Sequence, residues 1–417
     1  MRVLWIAGSE GLFSATSEGS YNGVGWVAGL QTAVKMYAEN IDLGLAFLTN
    51  KSIPFKILKD GCSYYPVCSR KSFIEKALNR FGWNDKDVYR SEFSRVIDDF
   101  KPDLIHIFGV EMPYSYLVGC TKIPTVVHLQ GFLNPYLNAY FPAGMGVESC
   151  FKHSKLKELL GLGFSYNYKA FSHSAVKEAN VLSQCKNVMG RTLWDKQIAD
   201  LMTNDARYFH VDEVLRPAFY DAPKWKYHYA GAVNIVTTIS QAMYKGFDLV
   251  LKTSSLLGKF GIKYQWHVIG VSQDSEFVSL FERHFGIRKE NVNVILHGRM
   301  EADEIIEQLL HTDLYVHTSY IDNSPNSVCE AQMLGIPVIA CNVGGLSSLI
   351  ENDVTGFLIP ANAPFELAYM IKHYAELPIL KVSSNEIDVA EKRHNRKEII
   401  NRLASCYAEC VGSSGSN

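Results

Sequence analysis

The sequence predicts an α/β protein built from two doubly wound, Rossmann-like domains facing a central cleft. Three observations lead there. From Val233 onward, short β-branched runs alternate with helical stretches, the pattern of a parallel sheet covered by helices. The first half repeats that grammar less cleanly. At 417 residues the chain exceeds one ordinary core, since a domain takes about 150 residues.

In the first half, apolar runs predict strands at Arg2–Ile6, Gly44–Leu48, Asp103–Phe108, Thr125–Leu129 and Lys186–Met189, with a helix after Val24. The stretch from Arg216 to Tyr229 is proline-bearing, aromatic and without period, which suits a linker. Strands follow at Val233–Ile239, Tyr264–Ile269, Val292–Leu296, Asp313–His317, Ile336–Ala340 and Gly356–Ile359, and the clearest helices are Phe247–Phe260 and Ala302–His311. The domains are therefore read as 1–218 and 219–384. A polar helix over 385–410 closes the chain, and the Gly/Ser-rich tail 411–417 is expected to be disordered.

Composition narrows the class. Hydrophobic residues at 47% and charged residues at 20% are ordinary for a soluble globular protein, and a net charge of −2 gives no global basic excess for nucleic acid. Nine cysteines without paired zinc spacing, an odd count and no secretory signal fit a reducing cytoplasm. No apolar run approaches the ~18 residues that would span a bilayer. The expected location is cytoplasmic, with peripheral contact at the inner membrane face through 151–169, where Lys152, Lys155 and Lys157 are mixed with apolar residues. An amphipathic helix with a basic exposed face is the alternative there.

The densest chemistry lies between Tyr320 and Ala340. Ser324 is read as the N-cap of a helix, Pro325 as its first residue and Gly335 as its stop. The amides of Asn326 and Ser327 then lack helical acceptors, and such a helix start favours phosphate. Asp322 precedes the cap, and Glu330 lies about a turn and a half inside by the ~3.6-residue period. With Asn323 and Ser324 between them, these residues offer what a nucleotide diphosphate sugar needs. One carboxylate suits ribose hydroxyls, the amides suit the diphosphate, and the other carboxylate suits the sugar.

This segment resembles the E-x7-E signature of the retaining family-four glycosyltransferases. An acidic residue, seven residues, Glu330-Ala331, then Gly335-Ile-Pro-Val and a later Gly344-Gly345 keep their order and spacing over roughly forty residues, as far as Gly356 and Pro360. The resemblance implies the GT-B architecture, with a terminal helix that crosses back to the first domain. It implies a retaining transfer from a UDP- or GDP-linked sugar to a glycan or lipid-linked acceptor, with no metal or other cofactor. Glu330 would hold the donor ribose and Asp322 the donor sugar. Asp322 stands where the family usually has Glu, an arm shorter by one methylene.

Other segments complete the expected site. Lys245, after the second domain's first strand, is a natural diphosphate ligand, and Ser240–Asp248 resembles the family's G-R-L-x-x-x-K-G-x-D with Ser240 in the Arg place. Arg191, where a strand meets a helix capped by Thr192, is the candidate for the missing cation; a helix-start pair with Asp195 is the alternative. Gly23 and Gly25 let the backbone approach a ligand. His128 and Gln130 share a strand face, and Gln130 takes the place where family members often have His. Either is a candidate to lie near the reacting carbon, and His128 suits a core position equally. Arg299 lies in the loop expected near the base. Asp85 and Asp87, the literal Asp-x-Asp, read as a solvated helical face rather than a metal site. Two rival functions stay open: another enzyme of this architecture, such as a sugar phosphorylase or nucleotide-sugar epimerase, and a non-catalytic binding partner.

Overall fold

The computed structural model describes residues 1–14, 25–51, 53–68 and 89–412. The chain divides into two compact units: unit 1 comprises Met1–Asn134, Lys169–Arg216 and the chain from His394 on, and unit 2 comprises Pro135–Tyr168 and Pro217–Arg393. The sequence places one boundary after residue 218, and the chain crosses beside it at Arg216 and Pro217. The excursion over 135–168 has no compositional mark.

Unit 1 holds an eight-stranded sheet of β1 (Arg2–Ala7), β2 (Asp42–Thr49), β3 (Ile57–Lys59), β4 (Cys62–Cys68), β5 (Leu104–Phe108), β6 (Thr125–His128), β7 (Asn187–Gly190) and β8 (Arg207–His210). Their order is β3-β4-β2-β1-β5-β6-β7-β8, parallel except for the β3–β4 hairpin. Val3 to Ala7 are all fully buried, as a central parallel strand covered on both faces requires. The five predicted strands of this half are present. β4 escapes prediction because Pro66 argues against a strand, yet Pro66 sits in register with Phe47. β3 and β8 are short edge strands with too little burial to leave an apolar run.

The predicted closing helix is two helices. Ile379–Arg393 belongs to unit 2 and Arg396–Gly412 to unit 1. The break falls at His394-Asn395, where the Asn395 side chain accepts from the amides of Lys397 and Glu398 at 3.1 and 3.2 Å and so starts the second helix. That helix seats Tyr407 in the unit 1 core. The buried Tyr407 hydroxyl accepts from Trp5 Nε1 at 2.9 Å and lies 2.6 Å from His106 Nδ1.

Unit 2 holds β9 (Val233–Thr238), β10 (Tyr264–Ile269), β11 (Val294–Gly298), β12 (Leu314–His317), β13 (Val338–Cys341) and β14 (Phe357–Ile359). All six are predicted strands. Their order, β11-β10-β9-β12-β13-β14, is that of a dinucleotide-binding sheet, all parallel, with the reversal between β9 and β12. The chain leaves β9 toward Lys245 and β12 toward Asp322, so both expected ligands stand at the switch point. The stretch expected as a linker is packed into this unit instead. Trp225 is buried, its amide donating to the Leu334 carbonyl at 2.8 Å and its indole N–H to the Thr312 carbonyl at 2.6 Å. An aperiodic aromatic segment looks like a tether in sequence because tryptophan anchoring leaves no period.

Candidate functional site

In unit 2 the switch point is occupied by a charged cluster. Lys245 Nζ lies 2.6 Å from Asp322 Oδ2, and the same oxygen meets His317 Nε2 at 3.1 Å and Ser319 Oγ at 3.4 Å. Burial alone would raise the Asp322 carboxyl, but the Lys245 charge and the His317 hydrogen bond outweigh it and hold the group well below the usual carboxylate range. Asp322 is therefore an anion at any working pH. His317, buried at the end of β12, was not singled out from sequence; the signal available was a histidine closing a predicted strand five residues before Asp322.

Backbone stitching sets the positions of these side chains. Gly246 has φ +73°, and a Cβ there would fall 1.9 Å from the Thr318 carbonyl oxygen, so only glycine lets the Lys245 turn touch the loop after β12. Thr318 Oγ1 donates to the Lys245 carbonyl at 2.8 Å, and the Tyr320 amide to the Tyr244 carbonyl at 2.7 Å. Asp248, the acidic residue of the Lys-Gly-x-Asp run, is fully buried and takes the Tyr320 hydroxyl at 2.7 Å and Lys252 at 2.8 Å. It fixes the loop. Gly344 explains the later Gly-Gly: its φ is +52°, a Cβ would lie 1.9 Å from the Asp322 carbonyl oxygen, and the Gly345 amide donates to that oxygen at 3.0 Å.

The helix after this loop spans Asn326–Leu334 and stops at Gly335, as predicted, with φ +82°. Its cap differs from the sequence reading. Pro325 occupies the N-cap with no side-chain hydrogen bond, and Ser324 precedes it, so the helix starts one residue later than the Ser324 cap implies. A proline fits there because its extended φ and ψ need no donor of their own. Asn326 and Ser327 are then the first helical residues, and their amides have no partner within the helix. Asn323 is fully buried, Ser324 and Glu330 are also buried, and the Asn323 amide lies 3.2 Å from Asp322 Oδ1. Arg299 follows β11 and lies exposed, 3.1 Å from Glu301.

In unit 1, Thr192 caps its helix as predicted, accepting from the Asp195 amide at 3.1 Å. The Arg191 backbone amide donates to Asp195 at 2.8 Å, while the buried guanidinium lies 3.6 Å from Glu213, donates to the Gln130 carbonyl at 3.0 Å and stands 5.4 Å from the Trp26 ring centre. The cation expected to replace an Arg at Ser240 thus has a buried carboxylate of its own. Arg191 also holds one end of the loop after β6. Glu178 holds the other, accepting from the amides of Leu133 and Asn134 at 2.8 and 2.9 Å. Gln130 is half-buried between these clamps. His128 is fully buried, stacked on His106 with ring centres 5.3 Å apart, and neither ring nitrogen has a partner among the described residues. Burial first, then the neighbouring His106 and Arg191, push it well below the ordinary histidine range, which favours the neutral ring.

Gly25 is the N-cap of the Trp26–Tyr37 helix, whereas Gly23, Asp85 and Asp87 lie outside the described residues. One group passed over in the sequence stands at the switch point of this sheet, just beyond β5. Glu111 has a buried Oε2 without a partner among the described residues. Burial, reinforced by Glu178 and opposed by Arg191, pushes its carboxyl up to about 7.

Residues 226–393 match the sequence model of the family described as glycosyl transferases group 1. The match covers 168 of the 417 residues. It contains Lys245, His317, Asp322 and Glu330, the whole cluster of unit 2. Among curated relatives, WcaL of Escherichia coli, a glycosyltransferase named for colanic acid biosynthesis, is 23% identical over 189 residues, 42% of this chain and 45% of the relative. TuaC of Bacillus subtilis, named for teichuronic acid biosynthesis, is 36% identical over 87 residues, 21% of this chain and 22% of the relative. These matches span less than half the length of either relative. Among solved structures, sucrose-phosphate synthase of Thermosynechococcus elongatus superposes with a TM-score of 0.70 at 13% identity, covering 99% of each chain. HepE of Anabaena in complex with UDP gives 0.62 at 16% identity, covering 98% of this chain and 100% of that one. The likeness establishes the fold, two α/β domains of the GT-B kind.

Proposed function

We propose that this chain is a retaining, metal-independent glycosyltransferase that moves a sugar from a nucleotide diphosphate donor to an acceptor hydroxyl, in the synthesis of a cell-surface polysaccharide or glycolipid. The observation that carries the proposal is the Lys245–Asp322–His317 cluster at the switch point of a group 1 domain, in the loop that runs into the Asn326–Leu334 helix. The naming of WcaL and TuaC for polysaccharides, and the UDP held by HepE, support the acceptor class and the donor class.

The donor's parts divide among these residues. Glu330 takes the ribose hydroxyls. Lys245 and the amides of Asn326 and Ser327 meet the diphosphate, whose negative charge grows as the sugar bond breaks, so contacts aimed at it stabilise the transition state more than the ground state. Asp322 accepts hydrogen bonds from the sugar, held in place by His317 once Lys245 turns to phosphate. Arg299 lies on the loop assigned to the base. In unit 1, assigned to the acceptor, Gln130 offers a carboxamide that hydrogen-bonds without acting as a base. Retention without a covalent intermediate depends on holding sugar and leaving group in position, which neutral donors and acceptors can do.

A thermal-shift screen of UDP, GDP and their sugars tests the donor assignment. A ligand at one hundred times its dissociation constant stabilises by about 2.7 kcal/mol. If no nucleoside diphosphate raises the melting temperature, the assignment fails. With the donor known, proton NMR of the product reads the anomeric configuration, and inversion would refute the retaining mechanism.

A further inference from the structure

The segment 147–165 of unit 2 reverses the usual placement of polar and apolar groups. Leu156, Leu159, Leu160 and Leu162 are 72%, 67%, 59% and 60% exposed, while Glu158, the one carboxylate between Ser149 and Tyr168, is buried at 5%. Glu158 is turned inward because it caps the next helix. It accepts from the Phe164 amide at 2.8 Å and the Ser165 amide at 3.1 Å, and from the Ser165 hydroxyl. A break in the Val147–Leu159 helix at Ser154, with φ −144° and ψ 37°, redirects its last turn.

The opposite side of the segment is already engaged. His153 packs edge-on against His284 at 5.6 Å, His284 Nε2 lies 3.0 Å from the Gly144 carbonyl, Phe164 meets Phe277 at 6.4 Å, and Lys157 pairs with Glu276. These contacts fix the segment to the Glu276–Phe285 helix and leave the leucines on the free side. Four large apolar side chains exposed within seven residues exceed the single scattered leucines of an ordinary surface.

Charge identifies what covers them. Lys152, Lys155 and Lys157 are exposed and interleave with the leucines; Lys157 pairs with Glu276 and Glu148 is exposed at the start of the segment, but residues 152–162 show no exposed carboxylate of their own. Leucines interleaved with lysines, with the one acid of this tip folded away, complement a surface that is apolar at depth and anionic at its face. We propose that the 152–162 tip docks on an anionic lipid bilayer, inserting Leu156, Leu159, Leu160 and Leu162 below the headgroups with the lysines at the phosphate level. No helix among the described residues is long and apolar enough to cross a membrane, so the contact is peripheral. It matches an acceptor carried on lipid, but it stands on the surface alone and is tested apart from the donor site.

Full-length protein is sedimented with vesicles of phosphatidylcholine alone and of three parts phosphatidylcholine to one part phosphatidylglycerol, at low and high salt. The protein should bind the anionic vesicles, bind the neutral ones weakly, and lose affinity in high salt, because each lysine near an anionic surface contributes roughly a fivefold factor that salt screens. Leu156→Ser with Leu160→Ser and Leu162→Ser should lower binding more than tenfold, since each leucine withdraws several methylenes from water. Lys152→Glu with Lys155→Glu should do so by a comparable factor. Both variants should keep the parent's melting temperature and nucleotide-induced shift, which reports the donor domain independently. Failure of the parent to bind anionic vesicles overturns the proposal, as does equal binding by the serine variant. So does a parent dimer in light scattering that the serine variant dissociates without any vesicle binding, because the patch is then an interface between copies.

Discussion

Replacing Asp322 by Asn should tighten the binding of a bare nucleoside diphosphate while slowing sugar transfer. Lys245 Nζ sits 2.6 Å from Asp322 Oδ2, with 21% and 11% of the two side chains exposed. An incoming diphosphate must compete with that carboxylate for the ammonium. A hydrogen bond involving a charged group contributes about 1.5–3 kcal/mol and a neutral one about 0.5–1.5 kcal/mol, so the carboxamide holds Lys245 more weakly by about 1 kcal/mol. That difference is roughly fivefold in dissociation constant, and removing a negative charge from beside an anion acts in the same direction. UDP and GDP carry no sugar, so titration calorimetry with whichever one the parent binds isolates this exchange from the sugar contacts of Asp322. Turnover of the matching nucleotide sugar should fall by about 10- to 100-fold, the loss of one charged contact to the sugar. Unchanged or weaker binding of the bare diphosphate would show that Lys245 never leaves Asp322, and the exchange would be refuted.

Glu330→Ala should abolish the nucleotide-induced melting shift while changing the unliganded melting temperature little, each lost hydrogen bond to a charged group costing about 1.5–3 kcal/mol; a variant that binds normally but melts early would make Glu330 structural. Glu111→Gln should stabilise unit 1 at high pH only. The folded carboxyl is raised to about 7, so its ionisation penalty is absent below the unfolded pKa near 4.3, grows as pH rises and is complete above the folded value, where relieving it is worth about 3–4 kcal/mol; equal stabilisation at pH 4 and pH 8 would contradict this. Asp322 acts with the opposite sign: its carboxyl is held down, so its contribution is full above the unfolded pKa near 3.9 and disappears as pH falls toward the folded value, and Asp322→Asn should flatten the acid limb of a melting-temperature profile. Turnover should survive EDTA, because Lys245 and helix-start amides are assigned the diphosphate charge; loss that magnesium or manganese restores would reject the metal-independent mechanism.

Much of the unit 2 site was legible because it is local in sequence. One strand end, one loop and one helix start carry Asp322, Asn326 and Glu330, and glycine and proline punctuate them. The error at the cap, Pro325 in place of Ser324, is a single residue, since both neighbours satisfy the same start rules. Lys245 was found from the turn it occupies, but its bond to Asp322 was not, because that contact spans 77 positions and is made by two glycines that admit close backbones. Unit 1 was harder. His128 and Gln130 look equivalent by strand period, and only the stacking of His106 decides that His128 is core. Arg191 was read either as a diphosphate cation or as half of a helix-start pair with Asp195, and its contact with Glu213, in a separate segment, left no mark in the spacing. Glu111 carries no motif, and what distinguishes it is an unpartnered oxygen, visible only once the strands are assembled.

The seating of Tyr407 against Trp5 and His106 has a consequence for biosynthesis. β1 is synthesised before the rest of its sheet, yet the residue that completes its core lies 402 positions later, on a helix made after the whole of unit 2. Unit 2 can close once Arg393 is out, whereas the sheet begun earlier must wait for the Arg396–Gly412 helix. The order of completion is therefore the reverse of the order of synthesis. Until that helix is made, the surface against which Ile399, Leu403 and Tyr407 are buried stays uncovered. A fragment ending at Arg216, although it contains every strand of that sheet, should be recovered aggregated unless the Arg396–Gly412 helix is supplied in trans.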